Sequence, residues 1–488
     1  MPDMIKKDAA SIVTKTSDFI WDIPMSYRPG MRVPGRIFVS SKLLQNLEND
    51  TLDQTANVAT LQGIQKYAMA MPDAHSGYGF PIGGVAAFDR DTGIISPGGV
   101  GYDINCGVRI IRTDLSIGEV RPRMRELVEQ LFHAVPSGVG SKSKLRASDK
   151  ELTDAFLYGA RWAVESGYGM REDIGHCEEN GYMKAADPSK VSDKARKRGK
   201  PQFGTLGSGN HFLEVQYVDE VYDEGVAKAF GLHKGQVTVM IHCGSRGAGH
   251  QICEDHLKTL ERAVHKYGID LPDKQLACAP AESTEGQNYF KAMAAGANYA
   301  WANRQVITHW VREVFTKFFR RDVDDLGMHL IYDVAHNVAK LEEHTIDGEK
   351  KMVYVHRKGA TRAFPPGHPD VPAVYRQVGQ PVLIPGSMGT PSFVLHGTER
   401  AMELTFGSAC HGAGRVSSRS HALKTLNGET IQKELAERGI SVMATQPSII
   451  AEEAPSVYKS SEDVVDVVHQ LGIARKVVRL MPVGVAKG

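Results

Sequence analysis

Six glycine-rich polar segments set the strongest limit on how this chain folds. They are Met71–Gly84 (MPDAHSGYGFPIGG), Ser96–Gly107 (SPGGVGYDINCG), Gly204–Phe212 (GTLGSGNHF), His242–His250 (HCGSRGAGH), Ile384–Ser392 (IPGSMGTPS) and Gly407–Arg415 (GSACHGAGR). Glycine tolerates positive φ and lets backbone approach a ligand closely, so such segments make tight turns or cradle phosphates. Any one of them alone reads as a turn. Six that each carry a polar or ionisable side chain are more than turns require. None contains the GxxxxGK[ST] phosphate loop or a convincing dinucleotide fingerprint, which excludes a standard ATPase or dehydrogenase.

Apolar runs with strand character lie between these segments: Lys66–Met71, Val108–Ile111, Gln236–His242, Met328–Asp333 and Met352–His356. Amphipathic helical patterns occupy Val120–Val135, Lys150–Glu165, His250–Tyr267 and Thr284–Phe319. The alternation is irregular, which predicts an α+β fold and not a doubly wound sheet. A length of 488 residues permits more than one domain. No repeat, low-complexity tract or Pro/Ser-rich linker divides the chain, so one large catalytic domain over residues 1–488 is expected. There is no long apolar run, and the start MPDMIKKDAASIV lacks a hydrophobic signal core. A soluble cytoplasmic protein, monomeric and not attached to a membrane, is the expectation. The formal net charge of +1 gives no global pull toward nucleic acid.

Six cysteines are too sparse for a disulfide framework, and Cys106, Cys243 and Cys410 stand in polar segments suited to metal binding or catalysis. Asp103-Ile-Asn-Cys106 puts a carboxylate and a thiol in one glycine-bounded turn. Alone this pair reads as a turn cap beside a structural cysteine. His211, His242 and His336 strengthen it, because each stands where an apolar run meets a polar turn. Most of the nineteen histidines must be ordinary hydrogen-bonded residues. These five N, O and S donors exceed the needs of one tetrahedral ion, so a two-metal site with a bridging cysteine sulfur is plausible.

The segment Gly407–Arg415 offers a nucleophile in either of two ways. Cys410 is a candidate thiol, but the adjacent His411 would be a poor base for it. Alternatively His411 attacks phosphorus itself, with backbone N–H groups of Gly412, Ala413 and Gly414 and the Arg415 guanidinium holding phosphate oxygens. Small flanking residues favour the second reading, and Arg419 offers a further phosphate contact.

Taken in order, Asp103-x-x-Cys106, Gly209-Asn-His-Phe-Leu-Glu214, His242-Cys-Gly-Ser-Arg246, His336-Asn337 and Gly407–Arg415 resemble the RtcB family of RNA-splicing ligases, from about Ile37 to Lys487. The resemblance implies a GTP- and Mn²⁺-dependent ligase that joins RNA 3′-phosphate or 2′,3′-cyclic phosphate ends to 5′-hydroxyl ends, with tRNA halves as the expected substrate. It implies two manganese ions, one on Asp103, Cys106 and His211 and the other on Cys106, His242 and His336. It makes His411 the residue that carries GMP. It places nucleotide contacts on Asn210, His211, Phe212, Leu213, Glu214, His336, Asn337, Ser387, Ser392, Tyr458 and Lys487, and it allows an archease-type activator. Residue chemistry agrees at Glu214, which can accept from the guanine Watson–Crick edge, and at Tyr458, which offers a stacking face.

For RNA, Arg246 is the candidate phosphate anchor beside the metals, and Asp73 the group that orients or deprotonates the 5′-hydroxyl. Lys194–Lys200 (KARKRGK) and Ser141–Arg146 (SKSKLR) are local basic patches. A binuclear metallophosphoesterase is the main alternative and would use the same metal ligands to activate water. It has no need of a nucleophilic histidine. A non-catalytic RNA scaffold would not need the metal ligands.

Overall fold

A computed structural model describes residues 9–488 and contains helices and four β-sheets, an α+β fold. Residues 1–8, which open the segment without a signal core, lie outside the described residues. No helix among the described residues is long and apolar enough to cross a membrane.

Seven strands of the larger sheet, Leu330–Ala335, Gly107–Ser116, Gln236–Cys243, Phe212–Val221, Ala474–Lys487, Ser392–Gly397 and Pro381–Ile384, pair antiparallel in that order. Ser441–Ala444 pairs in parallel with Ala474–Lys487 at one end. The second sheet has seven strands, Thr14–Ser17, Ile20–Ile23, Gly35–Phe38, Ala68–His75, Ile82–Asp89, Glu349–Lys358 and Asn337–Ile346. Its strands Gly35–Phe38 and Ala68–His75 are parallel.

Leu330–Ala335 belongs to the first sheet and Asn337–Ile346 to the second, so at His336 the chain passes from one sheet to the other across a single residue. Its backbone is pinned from both sides, with N–H donating to Cys106 O at 2.9 Å and C=O accepting from Gly359 N at 2.8 Å. A strand end held this firmly is a rigid platform for a side chain.

The helix Thr284–Phe319 has the bounds that its apolar pattern predicts. Ser283 caps it by accepting from Gly286 N, and Arg320 ends it in the left-handed region. Its middle turns are buried on all sides, including Asn298, Asn303 and Arg304. Two other helical patterns are broken by local chemistry. Val120–Val135 becomes a single α-turn, a 3₁₀ turn at Arg121–Arg123 and a helix Met124–Ala134, because Pro122 cannot donate within a continuous helix. Lys150–Glu165 divides into Asp149–Tyr158 and Ala160–Glu165 at Gly159, whose φ is 55°. His250–Tyr267 extends back to Arg246, giving Arg246–Lys266.

Candidate metal and nucleotide site

The Asp103–Cys106 turn is held by what lies beneath it. Ile104 is fully buried against the helices Arg246–Lys266 and Thr284–Phe319, opposite Gly249 and Gly296, where an added Cβ would stand 3.3 and 3.4 Å from it. Asn105 takes a left-handed φ of 48°, which asparagine accepts more readily than most residues. Its amide donates to Ala297 O at 2.8 Å and accepts from Arg304 Nη2 at 3.0 Å. Arg304 Nη1 also donates to Asn105 O and Cys243 O, both at 2.8 Å, while the rest of its guanidinium pairs with Asp333. This one buried arginine therefore joins the turn carrying Cys106 to the strand end carrying His242.

The side chains above the turn converge. Asp103 Oδ2 lies 2.9 Å from His211 Nε2. Cys106 Sγ lies 3.4 Å from His211 Nε2 and 3.2 Å from His242 Nε2, and His242 Nε2 lies 3.3 Å from His336 Nε2. Two three-donor groups result, Asp103–Cys106–His211 and Cys106–His242–His336, each with ligand atoms within 4.8 Å of one another. Cys106 belongs to both. The predicted set is thus brought together whole.

The donor chemistry fits divalent transition cations. His211 Nδ1 lies 3.1 Å from Leu206 O and 3.1 Å from Arg246 Nη1, while its Nε2 faces Asp103 and Cys106. Burial, then neighbouring imidazoles, push His242 and His336 well below the ordinary histidine range, toward the neutral ligating form. Burial and the Asp103 carboxylate push the Cys106 thiol up to about 11, and a bound cation is what would release that proton.

His411 stands next to this cluster, its ring centroid 4.8 Å from that of His336. Behind it Asp73 is fully buried, and Asp73 Oδ2 accepts from His411 Nδ1 at 2.6 Å, His411 N at 3.0 Å and Gly412 N at 3.2 Å. Burial opposes the charge, but His411 and Lys459 hold Asp73 below the usual carboxylate range. Lys459 Nζ donates to Ala74 O at 2.6 Å and its backbone N–H to Gly414 O at 2.9 Å, tying the aspartate strand to the histidine loop. Gly414 has φ 74°, and a Cβ there would fall 2.0 Å from Asp73 O, so the loop closes only with glycine.

All of this opens onto a cleft of about 620 Å³ lined by Asp103, Cys106, His242, His336, His411 and Tyr458 among others. The size suits a nucleotide. The RtcB family model, described as tRNA-splicing ligase RtcB, matches residues 54–488. The chain belongs to the RtcB family. It is similar to the tRNA-splicing ligase RtcB of Archaeoglobus fulgidus, 62% identical over 477 residues, which cover 98% of this chain and 99% of that protein. The protein of the same description from Thermococcus kodakarensis is 60% identical, covering 96% and 97% of the two chains. That of Methanococcus maripaludis is 58% identical, covering 98% and 100%.

Within this RtcB chain, the other expected residues divide. Asn210, Phe212, Asn337, Ser387, Gly412, Ala413, Gly414, Arg419 and Lys487 line the cleft. Asn337 is also structural there, donating to Asp103 O at 3.1 Å and accepting from Gly359 N. Glu214 and Ser392 lie fully buried and reach each other through Gln216, whose Nε2 donates to Glu214 Oε2 at 2.8 Å and Ser392 Oγ at 2.9 Å. Burial pushes Glu214 up to about 8, against the pull of Gln216 and Lys487.

Four expectations need correction. Asp73 cannot serve the 5′-hydroxyl, because it is buried behind His411 and bound to it. Leu213 offers no side-chain contact; strand alternation turns it into the main core while Phe212 and Glu214 share the opposite face. The Arg415 guanidinium is not free for phosphate: it is bonded to Ser417 O, Glu453, Tyr458 and Glu452 O. Arg246 does not line the cleft, and its Nη1 lies 3.1 Å from His211 Nδ1, packed against Gly207. Cys410, the less favoured nucleophile of the two in that segment, is fully buried, and burial raises its thiol well above the ordinary range.

The basic patches are partly structural. Arg196 bonds Pro188 O and Thr153, Arg198 bonds Gln251, and Lys200 pairs with Asp149, while Lys194, Lys197 and Arg198 are exposed in that run. Lys144 caps a helix end at His133 O and Ala134 O. Arg304, Gln216, Glu453 and Lys459 escaped sequence reasoning. Only Arg304 carried a signal, as a charged residue on the buried side of an otherwise apolar helical pattern.

Proposed function

We propose that this chain is a GTP- and Mn²⁺-dependent RNA ligase of tRNA splicing, sealing 2′,3′-cyclic phosphate or 3′-phosphate ends to 5′-hydroxyl ends. One observation carries the reading: buried Asp73 accepts a hydrogen bond from His411 Nδ1–H, which leaves the Nε2 lone pair directed away from it, beside the two donor groups. A histidine held this way is a nitrogen nucleophile. The curated relatives named tRNA-splicing ligase support the same substrate class.

His411 Nε2 would attack the GTP α-phosphorus, forming an N–P bond as pyrophosphate leaves, and Asp73 would stabilise the imidazolium that develops. The RNA 3′-phosphate oxygen would then take the GMP, breaking the N–P bond and returning the lone pair to His411. Attack of the 5′-hydroxyl oxygen on the 3′-phosphorus would expel GMP and leave a phosphodiester. A cyclic phosphate end would first be opened by water to the 3′-phosphate. Asp103, Cys106, His211, His242 and His336 would hold two divalent cations, which supply charge neutralisation at the phosphate oxygens. Tyr458, Ser387, Asn210 and Lys487 line the cleft where the nucleotide would lie.

A metallophosphoesterase would use the same donors but leaves the Asp73–His411 pair without a task. The deciding experiment incubates the protein with α-labelled GTP and Mn²⁺ and looks for an acid-labile protein adduct that His411→Ala abolishes. No adduct with any divalent metal would overturn the ligase reading.

A further inference from the structure

The strand Phe212–Val221 leads from the metal donors into the interior beyond the cleft. Phe212, Glu214 and Gln216 share one face of it, opposite His242, Met240 and Thr238 respectively on the neighbouring strand. Glu214 therefore lies about 7 Å beyond Phe212 along the strand, and Gln216 as far again.

Glu214 Oε1 and Gln216 Oε1 are both buried with no hydrogen-bond partner among the described residues. Unpaired buried acceptors are costly, so two together point to donors that arrive with a ligand. Ser392 Oγ has the opposite condition. It accepts from Gly386 N at 2.9 Å and Gln216 Nε2 at 2.9 Å, which fills both lone pairs and leaves its own hydrogen to donate. Once Glu214 gives up its proton to the incoming ligand's surroundings, the trio presents acceptors and one donor. Guanine offers N1–H and N2–H donors beside the O6 acceptor, whereas adenine reverses the key positions, with an N6–H₂ donor and an N1 acceptor.

Resting on the GTP reading above, we propose that Gln216 is the positioning residue that sets guanine specificity in this ligase. Its amide nitrogen has two hydrogens, and each is committed: one to Glu214 Oε2, one to Ser392 Oγ. The first fixes the carboxylate so that Oε1 faces the incoming base. The second forces Ser392 to act as a donor. Without the amide, the serine hydroxyl is free to turn and accept, and the carboxylate loses its anchor. The pocket then ceases to distinguish a guanine edge from an adenine edge.

The test compares wild type with Gln216→Met, which keeps the volume and removes both donors. Labelling of His411 is measured with α-labelled GTP, ITP and ATP, and Mn²⁺ content is measured alongside. Expected are a rise in KM for GTP with kcat maintained, and a roughly tenfold fall in the GTP preference over both ITP and ATP, because ITP lacks the N2 donor. Metal content stays at the wild-type value. Gln216→Glu, which puts an acceptor where the donors were, must lose the same preference and decides the matter if Gln216→Met does not fold. An unchanged preference, or an equal loss with all three nucleotides, overturns the proposal. Failure of the wild type to take label from GTP would instead overturn the ligase reading itself.

Discussion

His411 and Asp73 are 338 residues apart in the chain, and their side chains meet at 2.6 Å, Nδ1 to Oδ2. The contact joins the strand Ala68–His75 of the seven-stranded sheet to the segment after the short strand Ser408–Cys410. It decides the tautomer of the histidine, because a carboxylate accepts and cannot donate. Nδ1 keeps the proton, and Nε2 keeps the lone pair.

Asp73→Asn tests that polarity directly. An amide can donate to Nδ1 and so move the histidine proton to Nε2, where it blocks attack. Label transfer from GTP to His411 should fall on the order of 10³–10⁴-fold, as expected when a histidine is held in the wrong tautomer. Circular dichroism and Mn²⁺ content should match the wild type. A variant with near-normal labelling would show that Asp73 does not control the tautomer.

Cys106 belongs to both donor groups, whereas Asp103 and His336 each belong to one. Cys106→Ala should therefore deplete both ions, while Asp103→Ala or His336→Ala should deplete mainly one. Metal analysis of the three purified variants by mass spectrometry reads the stoichiometry. Equal depletion in all three would refute the shared thiolate.

Arg304→Met leaves Asn105 O, Cys243 O and part of Asp333 without their donor. Breaking a buried pair of this kind costs about 3–5 kcal/mol of stability, softened here because Arg109 still bonds Asp333 at 2.7 Å. Mn²⁺ affinity should also fall about 10–100-fold, since the turn carrying Cys106 loses its tie to the strand carrying His242. Denaturant unfolding and Mn²⁺ titration measure the two effects separately, and a stability loss with unchanged affinity would confine Arg304 to packing.

Glu214 gives a pH dependence with a definite sign. Burial raises it from 4.5 to about 8 in the folded chain. Between those values the folded protein keeps a proton that the unfolded chain has released, so this group's contribution to stability is present at low pH and declines as pH rises through the window. Glu214→Gln does not titrate. Its melting temperature relative to wild type, without nucleotide, should increase from about pH 5 to about pH 8.5. A difference that stays flat across that range would exclude the shift.

Much of the site could be read from local chemistry. Asp103, Cys106, His211, His242 and His336 each stand in a short polar segment at the end of an apolar run, and residue type alone defines their capacity to ligate. The helix Thr284–Phe319 was equally legible, since a 3.6-residue apolar period needs no distant information. Proline 122 and Gly159 broke two other patterns by backbone rules that the same sequence contains, but the longer periodicity masked them.

Sequence by itself determined which donors and nucleophiles this protein possesses, because those properties belong to single side chains and their immediate neighbours. Tertiary structure decided what each one faces. Asp73 and Arg415 look like free catalytic groups in the chain, yet folding places Asp73 behind His411 and engages Arg415 with Glu453 and Tyr458. Gln216 looks like an ordinary strand residue, yet folding sets it between Glu214 and Ser392. The physical reason is that a hydrogen bond depends on direction and reach at about 3 Å. That geometry exists only after the two sheets, joined at His336, have formed and bring residues hundreds of positions apart into contact.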